Sequence, residues 1–145
     1  MNALERANSF NLTTKLATVV NLFKSEFPDA KADLKPWDND ADTRSLVDPD
    51  SLDIGFHFPG WSRQIQCRSV LVQIRFHEDS LDKKQRLIGV ETAGFNLTGQ
   101  VWRFSTVDRW ECLGECKPAA EVREKLKSFC RQVFELFKGT TNKRR

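Results

Sequence analysis

Few residues of this chain are of types that carry acid–base, nucleophilic or metal chemistry: His57, His77 and four cysteines, Cys67, Cys112, Cys116 and Cys130. His57 lies in a segment where Leu52, Ile54, Phe56 and Phe58 alternate with Asp53, Gly55 and His57. That period of two is the signature of a half-buried strand, and it places Asp53 and His57 on the side opposite the apolar residues. An imidazole with an ordinary pKa of about 6.5 becomes a general base when a carboxylate orients it. Asp53 and Glu91 are the carboxylates expected on that side, so His57, Asp53 and Glu91 form the candidate catalytic set. Gln73, Arg75, Arg103 and Ser105 fall in the same polar phase of later segments and are candidate ligand-binding residues, the two arginines for an anion. The simpler alternative is a solvated sheet face whose charges pair across strands. His77 borders a polar stretch and reads as exposed.

Metal chemistry finds little support. Cys112 and Cys116 could offer two thiolates to zinc, but structural zinc sites take four ligands and no second close pair exists. Cys130 belongs to an apolar helical stripe and Cys67 to an early strand. A Cys112–Cys116 disulfide would need an oxidising compartment. Asp38-Asn39-Asp40-Ala41-Asp42 begins like a calcium loop. The complete loop needs Gly at its sixth position and Glu at its twelfth, where this chain has Thr43 and Pro49. No metal and no cofactor are therefore expected. Gly-x-Ser-x-Gly and Gly-Lys-Ser/Thr patterns are absent, and Glu91-Thr92-Ala93 lacks the lysine of a nuclease motif.

Nucleic-acid binding is the third reading, through Arg75, Arg103 and the basic end Lys143-Arg144-Arg145. A formal charge of +3 is too small for a basic footprint, and no RNA-recognition consensus is present. In Trp102-Arg103-Phe104 the alternation turns both aromatics away from Arg103, toward a core. Trp61, at a turn, and Trp110, near the last strand, are candidate interface anchors, since aromatic side chains are enriched where proteins meet.

These residues need a scaffold, and the pattern of apolar positions supplies one. Leu12, Leu16, Val19, Val20, Phe23 and Phe27 recur at helical spacing, ended by Pro28. Residues 28–50 are rich in Asp and read as a long acidic connection anchored by Leu34, Trp37, Leu46 and Val47, with a short helix over Asp38 to Val47. The strand from Leu52 is expected to turn at Pro59-Gly60. Ile65 and Cys67 fall in one phase and Val70, Val72, Ile74 and Phe76 in the other, which calls for a bulge or a late start near Arg68. After a polar loop from Glu78 to Gln85, Ile88 and Val90 are again out of phase with Phe95 and Leu97, and Gly94 between them suits a bulge. Thr98-Gly99 turns into Val101 to Val107, and Arg109 to Leu113 continues that strand or forms a fifth. Beyond Pro118, Val122, Leu126, Phe129, Val133 and Phe137 make a second helical stripe ended by Gly139. Residues 1–8 are expected to fray or to extend the helix loosely, and 140–145 to be a disordered basic tail.

Consecutive strands with short loops make an antiparallel meander, and two one-sided helices must cover one face of it. The expectation is one α+β domain over residues 1–145. It has two layers, a four- to five-stranded sheet with the N- and C-terminal helices on one face. The chain has 39% hydrophobic and 30% charged residues, ordinary values for a globular protein that exclude wholesale disorder. It contains no apolar run near the roughly 20 residues that cross a bilayer and no secretory signal pattern, so a cytoplasmic location without membrane attachment is expected. The favoured function is a non-catalytic protein-interaction or ligand-binding domain, with a second copy of the chain among its candidate partners. The runner-up is an enzyme acting on a small molecule through the polar face around His57.

Overall fold

The computed structural model describes residues 2–3, 10–37, 51–78, 85–107 and 112–138. The expected helix over Asp38 to Val47, the calcium-like run, the polar loop at 79–84, Trp110 and the basic tail lie outside these residues.

Helix α1 spans Phe10–Glu26 and closes with the amide of Phe27 donating to the Phe23 carbonyl, immediately before Pro28. Helix α2 spans Ala120–Lys138, starting two residues after Pro118. Glu121 in its first turn and Lys138 in its last complement the helix dipole. The stripes expected from spacing are the buried faces: Leu16, Val19 and Phe23 of α1 with Phe27 just beyond it, and Val122, Leu126, Phe129, Val133 and Phe137 of α2.

Six strands form one sheet in the order β1-β2-β3-β4-β5-β6: β1 Lys31–Asp33, β2 Ser51–Ser62, β3 Cys67–Glu78, β4 Gln85–Asn96, β5 Gly99–Ser105 and β6 Cys112–Gly114. Every neighbouring pair is antiparallel. The architecture is therefore an α+β meander of six strands rather than four or five. The additional strand, β1, lies in the stretch expected to be a connection. Three residues are too few to display alternation, and β1 exists because it pairs with β2 along the edge.

The inner face of the sheet carries Leu52, Ile54 and Phe56, then Val70, Val72 and Ile74, then Trp102 and Phe104, all buried. Both helices cover this face. The Phe23 ring stacks 4.0 Å from Phe56 of β2 and meets Phe129 of α2 edge-on at 5.3 Å, and Phe76 meets Phe137 at 6.2 Å. Trp102 lies flat over Gly94. A Cβ on Gly94 would fall 2.3 Å from the indole nitrogen, so only glycine fits, and that nitrogen donates to the Ile65 carbonyl at 2.8 Å.

Several local expectations are revised. Pro59-Gly60 is not the turn. β2 runs on to Ser62 through a register break between His57 and Ser62, which is where a strand tolerates a proline. The turn comes at 63–66, closed by the Gln66 amide on the Ser62 carbonyl. Asn2 and Ala3 are held against the body of the fold, both buried. Asn2 bridges to Asp53 and clamps Trp37, accepting from its backbone N–H at 3.0 Å and donating to its carbonyl at 3.2 Å. Phe95 and Leu97 do not return to the core. Pairing between β3 and β4 is unbroken from Ser69↔Phe95 to Arg75↔Gly89, so Phe95 shares the outer face with Glu91 and Ala93, and Leu97 is 84% exposed in the turn. The extra residues are instead Ile88, between β3 and β4, and Val101, between β4 and β5.

Candidate functional site

The outer face, away from the helices, can be read across the sheet from its register. One row runs Asp53, Gln73, Glu91, Ser105; a second runs Asp33, Gly55, Leu71, Ala93, Arg103; a third runs Lys31, His57, Ser69, Phe95. All seven candidate catalytic and ligand-binding residues lie on this face, as their alternation implies.

The first row is largely buried, with Gln73 partly covered. Asp53 is 0% exposed and Glu91 9%. The Asp53 carboxylate accepts from the Ser51 hydroxyl at 2.7 Å, the Trp37 indole N–H at 2.5 Å and the Gln73 amide at 3.3 Å. Buried charge is tolerated because donors replace the lost water. Glu91 is held from both sides, by Arg75 Nε at 3.2 Å and by the Arg103 guanidinium. The Ser105 hydroxyl, also buried, accepts from the Val107 amide at 3.1 Å. Carboxylates engaged in this way hold strands in register.

The third row has a different character. His57 is half-exposed, with Nε2 3.0 Å from Asp33 Oδ2 and Nδ1 2.8 Å from Ser69 Oγ. A carboxylate only accepts, so Nε2 donates to Asp33, and in the tautomer with Nδ1 unprotonated the Ser69 hydroxyl donates to Nδ1. The carboxylate that orients His57 is thus Asp33, on β1, while Asp53 and Glu91 serve other partners. Asp33 is itself fixed: its other oxygen accepts from the Lys35 amide at 2.9 Å. That turn carries Pro36 and Trp37 back over β2, above Gly55. A Cβ on Gly55 would meet Pro36 Cβ at 3.2 Å, so the missing side chain lets the segment sit close.

Beside His57 this packing leaves a hollow of about 230 Å³, lined by Pro36, Trp37, Gly55, His57, Ser69, Val70, Leu71 and Phe95. Its walls are apolar and its hydrogen-bonding groups are His57 and Ser69. Ser69 and Leu71 were legible in the sequence, since they share the parity of Gln73 and Arg75. Asp33, Pro36 and Trp37 gave no such signal, because their segment shows no periodicity. Trp61 is 42% exposed at the far end of β2 and is not part of the hollow.

The thiols are free: Cys67, Cys112 and Cys130 are buried and Cys116 is partly covered. Burial pushes the Cys67 thiol up to about 12, against weaker opposing hydrogen bonds. Burial likewise raises Cys130 to about 12, with the Thr92 hydroxyl opposing. Among the described residues no three His, Cys, Asp or Glu side chains cluster as metal ligands, and no helix is long and apolar enough to cross a membrane.

Sheet, helices and hollow define a two-layer α+β domain with a small recess on its open face. The chain belongs to a family described as a domain of unknown function, matched over residues 4–139. No curated protein and no solved structure matches it.

Proposed function

We propose that this is a ligand-binding domain whose hollow takes the apolar end of a small molecule, with a hydroxyl or similar group of that molecule hydrogen-bonded at His57 and Ser69. The observation that carries this reading is the combination of apolar walls with one polar corner held in place by Asp33. A concave, mainly apolar recess with a few convergent polar groups is the usual form of a small-molecule site. Its size is suitable, since an apolar cavity of about 150 Å³ already holds a benzene ring. The test is a titration of isotope-labelled protein with p-cresol, followed through backbone amide signals. Shifts at Gly55, Ser69, Leu71 and Phe95, abolished by Leu71→Lys, support the proposal. Shifts elsewhere only, or an unchanged response in Leu71→Lys, overturn it.

A second reading rests on the hydrogen-bonded chain Ser69–His57–Asp33. A hydroxyl on an imidazole that is oriented by a carboxylate is the arrangement that activates a serine nucleophile. Against it, Ser69 sits within β3, paired on both sides, where strand amides serve the ladder instead of standing ready for a developing oxyanion. A fluorophosphonate probe decides: covalent labelling at Ser69 that vanishes in His57→Ala favours hydrolysis, and an unlabelled protein ends it. Nucleic-acid binding through Arg75 and Arg103 is weakened because Glu91 holds both guanidinium groups.

A further inference from the structure

A second recess, of about 340 Å³, lies on the helix side of the sheet, where β5 and β6 meet the beginning of α2. Phe104 and Cys112 form its buried floor, and Leu113, half-exposed on the edge strand, borders it. Ala120, Arg123, Glu124 and Lys127 of α2 line it at the three- and four-residue spacing that brings side chains to one side of a helix. Lys117 lines it from the segment before the helix.

The charges around it do not cancel. Glu124 is matched by Lys127, whose Nζ lies 3.4 Å away. Among the described residues neither Lys117 nor Arg123 has a carboxylate partner. Both line the recess, Lys117 exposed at its rim and Arg123 partly covered. Burial raises the Cys112 thiol to about 11, and the positive charges of Arg123 and Lys117 act on it in the opposite direction. Two cations with no carboxylate partner among the described residues, beside a floor of Phe104 and Cys112, are complementary to a molecule with an anionic head and an apolar body.

We infer that this recess is a binding site for a small organic anion, a phosphate ester or carboxylate, with its charged group between Lys117 and Arg123 and its apolar part against Phe104 and Cys112. The site is separate from the hollow at His57 and does not depend on that reading.

Phenyl phosphate and benzoate are the probes, titrated calorimetrically and by amide shifts at Leu113 and Arg123. Binding of either supports the inference, and the tighter of the two names the head group. The charge reversal Lys117→Glu with Arg123→Glu weakens the bound probe by about a hundredfold, the loss expected of two charge-assisted contacts. The conservative pair Lys117→Arg with Arg123→Lys retains binding. Both positions are at least partly exposed, so an unchanged thermal melt checks that the reversed variant is folded. Absence of binding by both probes, or equal binding by the charge-reversed protein, overturns the inference.

Discussion

The outer face contains two sets of polar residues that look alike in the sequence and differ in the fold. In the row through Asp53 and Glu91, carboxylates are buried and saturated by donors from Ser51, Trp37, Gln73, Arg75 and Arg103. At the corner through Asp33, His57 and Ser69, the side chains are part-exposed and border an apolar hollow. Both sets arise from the same alternation. The difference lies in what covers them: the Asp53 end of the row lies beneath Trp37 and Asn2, and Glu91 between two arginines, whereas the corner faces solvent. A buried, fully paired polar group stabilises or specifies a fold, while a partly exposed pair beside a recess is free to meet a ligand.

The contrast is broken most severely at Asp53. Asp53→Ala removes the acceptor of three donors in a dry setting and should cost about 3 kcal/mol in urea unfolding, with Asp53→Asn recovering about half. The buried thiols report the same loss. Because the Cys67 and Cys130 thiols stay protonated to about pH 12 and the thiolate is the reactive form, their labelling at pH 8 requires opening. Labelling of Cys130 in Asp53→Ala should therefore accelerate about a hundredfold, in step with the lost stability. If Asp53→Ala is as stable as the parent, the row is not structural.

Glu91→Ala comes next. It leaves Arg75 and Arg103 side by side without their shared counter-ion, but both are part-exposed, so water limits the cost to about 2 kcal/mol. A separate effect should appear at alkaline pH. Unfolded thiols ionise near 9 and folded Cys67 and Cys130 near 12. The unfolded chain thus binds fewer protons between these values, and stability falls as pH rises through that window. Replacing both cysteines by alanine should flatten the slope of stability against pH between 9 and 12. An unchanged slope would mean that these thiols titrate alike folded and unfolded.

The smallest change in stability belongs to the corner. His57→Ala and Ser69→Ala should move the unfolding midpoint by no more than about 0.5 kcal/mol, as for surface positions, yet remove the p-cresol response at Gly55 and Leu71. A large stability loss at His57 would place the corner with the row and erase the distinction.

Much of the fold was legible because its elements are long and periodic. Two helical stripes and the alternation of β2, β3 and β5 specify layers, inner face and outer face without reference to the structure. The site was legible only in part. Parity places His57 and Ser69 on the outer face, but nothing in the sequence joins them to Asp33, because β1 is three residues long and is defined by the strand it meets. Phe95 misled for a related reason: an aromatic residue near the end of a strand suggests a core, and only an unbroken register with β3 turns it outward.

The sequence by itself determined a two-layer α+β arrangement, the faces of β2, β3 and β5 and the polar composition of the open face, since these follow from the periods of helix and strand. Tertiary structure alone decided which carboxylates are buried, which one orients His57, and that Pro36 and Trp37 wall a recess. Those outcomes depend on contacts between segments distant along the chain, and local periodicity carries no information about such contacts.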